Sequence, residues 1–262
     1  MLYRIIKLFL LLVLPLDSLS DSMKFNSFNT NGVMGLINTP TARMPDTYTV
    51  SLTTFKSENT TMSGITFNAF NMVEMSFTKT SYEDNLYNNV EVNEFNGSNI
   101  KFRVKEEGRF PAIVVGLNNI DGPAFSSSEY IVASYGLANF DFSLGFGWGA
   151  LDRNKDFSNR LIDIDDNFRK RGQSNNILID TDSDHFFSGE TASIFGGINY
   201  AINNNFLLKL EYDSHEDFFN SNENLSNLTY GFEFIGFRNF NFGLYSLKGE
   251  KVSIRASYVF NL

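Results

Sequence analysis

The sequence contains no cysteine, a single tryptophan, two histidines and five prolines. Without cysteine, neither a disulfide framework nor a lipid-modified cysteine is expected. The net charge of -9 argues against nucleic acid as a partner. Beyond the N-terminus, no run approaches the ~18 consecutive apolar residues of a membrane helix. These absences exclude a disulfide-stabilised scaffold, a nucleic-acid-binding domain and a helical membrane protein.

The N-terminus has the three parts of a secretory signal peptide. Arg4 and Lys7 provide the positive start, and residues 8–16 are almost uninterruptedly apolar. Residues 18–20 then place small side chains where a signal peptidase reads them. We therefore expect a signal peptide over residues 1–20, cleaved after Ser20. The alternative is a membrane anchor, for which the apolar stretch is too short to span easily.

Aromatic residues are abundant, with 28 phenylalanines and 11 tyrosines. They alternate with small or polar residues at a period of two, most clearly over residues 140–149, where every even position is large and apolar. Similar alternation occurs over residues 100–105, 206–213 and 251–262. A period of two indicates strands with one face toward lipid and the other toward an interior.

The connections between the predicted strands alternate between short turns and longer loops. This rhythm is typical of outer-membrane barrels, whereas the alternative, a soluble periplasmic β-fold, has no reason to keep it. The predicted fold is all-β: a transmembrane antiparallel up-and-down β-barrel over residues 47–262, in contact with outer-membrane lipid. It has short periplasmic turns, long extracellular loops and about twelve strands. These lie near 47–56, 61–69, 72–81, 98–105, 110–119, 128–137, 140–149, 190–202, 206–214, 227–237, 240–248 and 251–262.

Seven charged residues fall on the strand face opposite the apolar stripe. A closed sheet in lipid directs such residues into the lumen, because hydrocarbon does not solvate them. They are interpreted either as a polar lumen wall or as a selectivity lining for a charged solute. The seven are Glu74, Lys101, Arg103, Lys209, Glu211, Glu233 and Arg255.

The segment before the first strand, residues 21–46, contains two prolines that deny it a regular ladder position. We predict that it folds into the periplasmic mouth or the lumen as a plug, with Gly35, Pro40 and Arg43 as its motif. Arg43 is expected to pair with a lumen acid such as Glu74 or Glu233. The alternative is a flexible periplasmic tail.

No enzyme and no cofactor are expected. His185 and His215 fall in predicted extracellular loops, and neither has an obvious serine-containing partner motif. Residues 163–166 and 180–184 are rich in aspartate, but the central glycine and terminal glutamate of a calcium loop are missing. The basic residues 169–171 are interpreted as partners of these acids or of an anionic surface sugar.

Six stretches of the sequence, in this order, resemble the YjbH family of exopolysaccharide-biosynthesis proteins. They are GLINTPTARM at 35–44, FPAIVVGL at 110–117 leading into SEYIVAS at 128–134, FDFSLGFGWG at 140–149, and FGGINY at 195–200 preceding LKLEYD at 208–213.

The resemblance covers most of the mature chain and implies an outer-membrane barrel that acts in exopolysaccharide production or export, without an enzyme site. It implies the polysaccharide and periplasmic export proteins as partners. Members of the family are usually much longer, so a reduced relative with part of the role is expected. The alternative function is a narrow diffusion channel for small solutes, in which twelve strands leave an interior between a filled and an open barrel.

Overall fold

In a computed structural model, the structure describes residues 27–83, 86, 87, 90, 91, 94–123, 125–169, 171, 186–215, 226–237 and 239–262. The predicted signal peptide, residues 1–20, lies outside the described residues. Among the described residues, no helix is long and apolar enough to cross a membrane.

Twelve antiparallel strands form a closed barrel in which each strand pairs with its neighbours in sequence. The last strand pairs with the first, from Thr49 opposite Asn261 to Lys56 opposite Ile254, and this pairing closes the sheet. The predicted fold is therefore confirmed. The strands are β1 (Thr49–Lys56), β2 (Thr60–Phe70), β3 (Val73–Tyr82), β4 (Glu94–Lys105), β5 (Ala112–Asn118), β6 (Ser128–Leu137), β7 (Phe140–Gly149), β8 (Thr191–Asn203), β9 (Phe206–Tyr212), β10 (Leu228–Phe237), β11 (Phe240–Leu247) and β12 (Lys251–Asn261).

The start of β4 differs most from the prediction, at residue 94 instead of 98. The ladder between β3 and β4 continues to the pair Ser81 and Glu94, in a polar stretch without apolar alternation. Backbone pairing at this end of β4 does not depend on lipid-facing side chains. The strand therefore extends beyond the part in which apolar and polar residues alternate. The loops also carry two-residue strands at Leu86–Tyr87, Val90–Glu91 and Phe157–Ser158, and 3-10 helices at Arg160–Asp163 and Asp166–Arg169.

The outer face of the barrel is apolar. On β7, the outward Phe142, Leu144 and Phe146 are 41%, 38% and 42% exposed, which is unusual for side chains of this size. In water this apolar outer face would be prone to aggregation, whereas the hydrocarbon of a membrane solvates it. In hydrocarbon every backbone polar group must also be paired, and a closed sheet leaves none unpaired. The chain is therefore an outer-membrane barrel.

Aromatic side chains gather at the rim that carries the short turns. Ring centroids are 4.7 Å apart for Phe140 and Tyr200, and 4.6 Å apart for Phe240 and Tyr258. Such girdles mark the height of the lipid headgroups in barrels of this kind. We call this rim the periplasmic rim and the opposite one the extracellular rim.

One part of the lumen is filled by the barrel's own side chains. Tyr130 and Phe195 point inward, are fully buried, and meet edge to face with ring centroids 6.3 Å apart. They occupy space that glycines leave free: a Cβ on Gly116 would lie 2.3 Å from the Tyr130 ring, and one on Gly145 would lie 2.3 Å from the Phe195 ring. The small positions of the alternating strands therefore receive aromatic side chains from neighbouring strands.

Candidate functional site

The remaining part of the lumen holds a chain segment that we call the inner segment, residues 27–46. Its atoms form hydrogen bonds with side chains on all sides of the lumen. These side chains lie on β2, β3, β4, β6, β7, β9, β10 and β12. Phe28, Val33 and Leu36 are fully buried. The inner segment therefore lies inside the barrel, while residues 21–26 of the predicted plug lie outside the described residues.

Two tight turns shape the inner segment. The Asn29 side chain accepts hydrogen bonds from the backbone N–H of Asn31 and Val33, at 3.0 and 3.2 Å. Isolated backbone bridges then join Phe28 to Met34 and Gly35 to Pro40. A Cβ on Gly35 would lie 2.5 Å from the Thr39 carbonyl oxygen, so the second turn requires glycine at this position. The turns replace the ladder that the prolines deny.

A hinge at residues 45–48 connects the inner segment to β1. The Asn68 side-chain amide donates to the backbone oxygens of Pro45 and Asp46, at 2.6 and 2.9 Å. Tyr48 adopts a left-handed conformation with φ 62°, and its backbone N–H donates to the backbone oxygen of Asn68 at 2.7 Å. The chain thus turns sharply from the lumen into the barrel wall.

Glu211 is the main acceptor for the inner segment. Its carboxylate accepts the backbone N–H of Ile37 at 2.7 Å and those of Asn38 and Thr39 at 3.1 Å. The Thr39 hydroxyl adds a fourth bond at 3.0 Å. Successive N–H groups in a turn form an anion-binding concavity, and here it surrounds a buried side chain of the barrel wall.

A second contact joins the inner segment to β3 and β4. Glu74 and Lys101 form an ion pair of 2.7 Å, and both side chains are fully buried. Glu74 accepts the Met34 N–H at 2.7 Å, and Lys101 donates to the Met34 carbonyl at 2.9 Å. The pair therefore satisfies both backbone groups of one residue of the inner segment.

A third contact lies across the lumen, on β9, β10 and β12. Glu233 pairs with Lys209 at 2.9 Å and with Arg255 at 2.5 Å. The Ser27 hydroxyl donates to Glu233 at 2.8 Å, and Lys209 donates to the Leu36 carbonyl at 2.7 Å. This cluster binds the inner segment at both Ser27 and Leu36.

The six ionisable side chains of these contacts balance in charge, with three carboxylates against three cations. All are at most 3% exposed. These side chains face the inner segment and each other, and they do not face solvent. Removing one partner of a buried ion pair typically costs about 3–5 kcal/mol, because the other charge stays buried. The six are Glu74, Glu211, Glu233, Lys101, Lys209 and Arg255.

Two of the predicted arginines, Arg103 and Arg43, lie outside these three contacts. Arg103 is at the periplasmic rim, where it donates to Asn71 at 2.8 Å and pairs with Glu106 at 3.0 Å. Arg43 does not pair with Glu74 or Glu233, so that expectation was wrong. The stretch between Pro40 and Pro45 carries Arg43 to the periplasmic rim, away from the lumen centre. There it pairs with Asp141 at 2.6 Å and with Glu107.

Asp141 was not singled out from the sequence, although a signal for it exists. It occupies an odd, inward position in the alternation of residues 140–149, as the only charged residue of that stretch. An inward charge next to a short turn indicates a partner at the periplasmic rim. Ser27 and Asn29, by contrast, lie in a segment without periodicity, and no sequence pattern distinguishes them.

At the extracellular rim, Asp213 joins two loops. It accepts bonds from the His215 ring and backbone N–H, both at 2.8 Å, and from the Asn38 side chain at 2.8 Å. Burial by itself would raise the pKa of the Asp213 carboxyl, but Lys248 and His215 outweigh burial and hold the pKa below its ordinary value. The adjacent Ser214 donates to the Leu151 carbonyl, so its proton is not directed at His215.

The acidic and basic loop residues are partly described. Asp163 and Asp166 pair with Arg160 and Arg169, at 3.3 and 3.2 Å, within the 3-10 helices. Arg171 pairs with Glu129 on β6 at 2.7 Å. His185, Lys170 and residues 180–184 lie outside the described residues. In the described ranges, no group of three or more histidines and acids is placed to hold a metal ion.

Solved porin structures show similarity to this chain at low identity. The KdgM porin in complex with disordered oligogalacturonate matches with a TM-score of 0.43 and 10% identity, over 82% of this chain and 99% of that one. The N-terminal β-barrel domain of Pseudomonas aeruginosa OprF matches with a TM-score of 0.25 and 8% identity, over 82% and 98%.

A curated protein of Escherichia coli (strain K12), "Uncharacterized lipoprotein YjbH", is 32% identical over 194 residues. The match covers 70% of this chain and 27% of that protein, so the chain spans only about a quarter of that relative's length. The family described as "Exopolysaccharide biosynthesis protein YbjH" matches residues 27–262, which include the inner segment and the whole barrel. The chain therefore belongs to the YjbH family.

Proposed function

We propose that this barrel acts in the production or export of an exopolysaccharide, without catalysing a reaction, and that the inner segment closes the lumen until it is displaced. Residues 1–20 direct export on this proposal. The carrying observation is the number of polar contacts between the inner segment and the wall, which accompany apolar contacts such as that of Phe28 and Met34 with Val259. Glu211 alone accepts four hydrogen bonds from the inner segment. Water or sugar hydroxyls can replace such bonds, whereas an apolar contact has no hydrated substitute.

A clean deletion strain tests the role in polysaccharide production. Secreted polysaccharide is measured in the wild type, in the deletion, and in the deletion complemented from a plasmid. We expect the deletion to lose extracellular polysaccharide and the plasmid to restore it. Unchanged secretion in the deletion strain would overturn the proposed role and leave the barrel assignment intact.

A disulfide between the inner segment and β3 tests whether the segment moves. A Cβ on Gly32 would lie 3.3 Å from the Ser76 Cβ, close to the spacing of about 3.5–4.5 Å in disulfides. Gly32 has a φ of 74°, a left-handed conformation that costs a cysteine about 1–2 kcal/mol, so the single Gly32→Cys variant controls for this strain. The chain has no cysteine, so a Gly32→Cys/Ser76→Cys variant can form only this disulfide within one chain. In the oxidising periplasm the bond forms without added oxidant. We expect it to abolish secretion and a membrane-permeant reductant to restore it.

The matched control carries a disulfide that leaves the inner segment free. Thr53 and Ser257 face each other on β1 and β12 with their hydroxyl oxygens 3.1 Å apart. A Thr53→Cys/Ser257→Cys variant should secrete normally, and so should each single cysteine variant. Normal secretion from a fully oxidised Gly32→Cys/Ser76→Cys barrel would show that the segment need not move.

If the inner segment is displaced, the six balanced charges would line an open lumen, and this favours a second candidate, a narrow diffusion channel that selects small charged solutes. Planar-bilayer recordings of the purified barrel separate the two. If the barrel is a channel, the wild type should show conductance steps, the oxidised Gly32→Cys/Ser76→Cys variant should lack them, and reduction should restore them. Deletion of the protein should then leave the amount of secreted polysaccharide unchanged. A barrel that stays silent in both redox states counts against this candidate.

A further inference from the structure

A cavity of about 410 Å³ opens at the periplasmic rim, between the inner segment and the turns that follow β4 and β6. Its volume falls within the range of about 300–1,000 Å³ that small-molecule sites occupy. The inner segment forms its floor, from Met34 and Gly35 to residues 41–44. Polar and charged side chains form much of its wall, including Arg43, Arg103, Glu106, Glu107, Asp141 and Asn199.

Two buried polar atoms of this wall have no hydrogen-bond partner among the described residues. They are the Asn199 side-chain oxygen and the Arg103 Nε. Asn199 is only 9% exposed. A buried polar atom without a partner costs about 1–3 kcal/mol. Both atoms are almost inaccessible, so a ligand regains that free energy only when the side chain turns toward the cavity and bonds to it. One atom accepts and the other donates, so the cavity suits a ligand whose groups can both donate and accept, at one atom or the other.

A sugar hydroxyl is such a group. It donates one hydrogen bond and accepts others, and the wall places carboxylates beside guanidinium groups. Arg43 and Arg103 contribute two positive charges, whereas Asp46, Glu106, Glu107 and Asp141 contribute four negative ones, which leaves a net charge of -2. This balance repels a uronate or a sulfated sugar and favours a neutral or an amino sugar.

We propose that the cavity binds a neutral or amino-sugar unit of the polysaccharide at the periplasmic entrance of the barrel. The proposal rests on the proposed function and names the substrate class of that function. A sugar in the cavity contacts Arg43, the residue through which the inner segment is anchored to the periplasmic rim. The site therefore lies where a glycan entering from the periplasm first meets the segment that closes the lumen.

Isothermal titration of the purified barrel in detergent tests this proposal with three probes of equal length. They are cellotetraose, the fully deacetylated glucosamine tetramer and tetragalacturonate. We expect cellotetraose or the glucosamine tetramer to bind at least tenfold more tightly than tetragalacturonate. Tighter binding of tetragalacturonate, or no binding of any probe at millimolar concentration, would overturn the proposal.

The Asn199→Leu variant removes the unpartnered acceptor with little change in volume, and it should weaken sugar binding about tenfold. The matched control is Asn118→Leu. Asn118 is 1% exposed and also has a side-chain oxygen without a partner in the described structure, but it bonds to Ser128 at the extracellular rim. We expect this control to bind as the wild type does. Equal affinities for the two variants would contradict the cavity as the site.

Each variant is first checked for folding by its heat-dependent mobility on a gel. The outcomes separate the two proposals. Loss of polysaccharide in the deletion strain without sugar binding would overturn the cavity proposal alone. Sugar binding that depends on Asn199, in a protein whose deletion leaves secretion unchanged, would overturn the role in secretion and keep the cavity as a sugar site.

Discussion

At the scale of single residues, Glu211 shows how a buried carboxylate is stabilised without a cation directly beside it. Its four hydrogen bonds come from three consecutive residues of the inner segment. The stability of the barrel wall and the position of the inner segment therefore depend on the same bonds. A substitution at Glu211 should release the segment before it unfolds the barrel.

We predict that Glu211→Ala exposes the inner segment to trypsin, which cleaves after Arg43, while the barrel stays folded. The substitution leaves three backbone N–H groups without an acceptor, at about 1–3 kcal/mol each. Glu211→Gln keeps one acceptor oxygen and should have a smaller effect. Glu58→Ala, at an exposed position in the turn after β1, is the control. Equal cleavage of Glu211→Ala and the wild type would refute the prediction.

Asp213 gives a prediction about pH. Its folded pKa lies below the ordinary value, because Lys248 and His215 outweigh burial, so its contribution to stability is present above the unfolded pKa of about 3.9. That contribution is lost as the pH falls through the lower, folded pKa. We expect Asp213→Asn to lower the free energy of unfolding by about 1–3 kcal/mol at pH 7. Urea unfolding in detergent should show this difference shrinking below about pH 4.

The alternation of residues in the strands predicts the direction of inward side chains but not their partners. Counting every second residue along the strands predicts an inward direction for six charged side chains, those of Glu74, Lys101, Lys209, Glu211, Glu233 and Arg255. The same counting does not predict the position of Arg43, because its partner depends on how far an irregular segment reaches through the barrel. The sequence contains no period from which that reach can be counted.

At the scale of elements, strands were predictable because lipid imposes a strict period on them. The exceptions lie where lipid ends, as in the polar start of β4. The inner segment lacks any period, and only its prolines and the family motif distinguish it in the sequence. Its two turns depend on Asn29 and Gly35, which are common in turns of every kind.

The glycines of β7 provide a test of how the elements pack. A Cβ on Gly145 would lie 2.3 Å from the fully buried Phe195 ring, so Gly145→Ala should destabilise the barrel by about 1–3 kcal/mol. The control is Gly108→Ala, where a Cβ would have no neighbour within 4 Å. Unfolding in urea measures both.

If overpacking is the cause, adding Phe195→Leu to Gly145→Ala should recover part of the lost stability. A double variant less stable than either single variant would indicate that the ring and the glycine do not share the same space.

At the scale of the whole molecule, twelve strands could enclose more space than their own side chains fill. Inward aromatics fill one part, and the inner segment occupies much of the rest, beside the cavity of about 410 Å³ at the periplasmic rim. The strand count follows from the sequence, because the loop rhythm and the alternation agree. The sequence also predicts a plug over residues 21–46, but not its contacts, since these depend on how a segment without periodicity folds against six buried charges.

We predict that deleting residues 27–45 leaves a folded but less stable barrel that conducts ions. The six lumen charges balance one another, so water can solvate them without a net field, and the strand ladder stays complete. Planar-bilayer conductance above that of the wild type is the expected result. A deletion variant that folds and yet stays silent would show that the inward aromatics alone close the lumen.

If the inner segment leaves the lumen, as proposed, the hinge at residues 45–48 keeps it attached to β1. Because only two residues separate the inner segment from β1, an expelled segment stays tethered at the mouth that it left. Tethering over so short a distance gives an effective concentration on the order of millimolar or higher. Reclosure is then independent of how much protein the membrane contains, and a free peptide of the same sequence can compete only at comparable concentrations. If the inner segment is displaced as proposed, the barrel can therefore release and rebind it repeatedly without losing it.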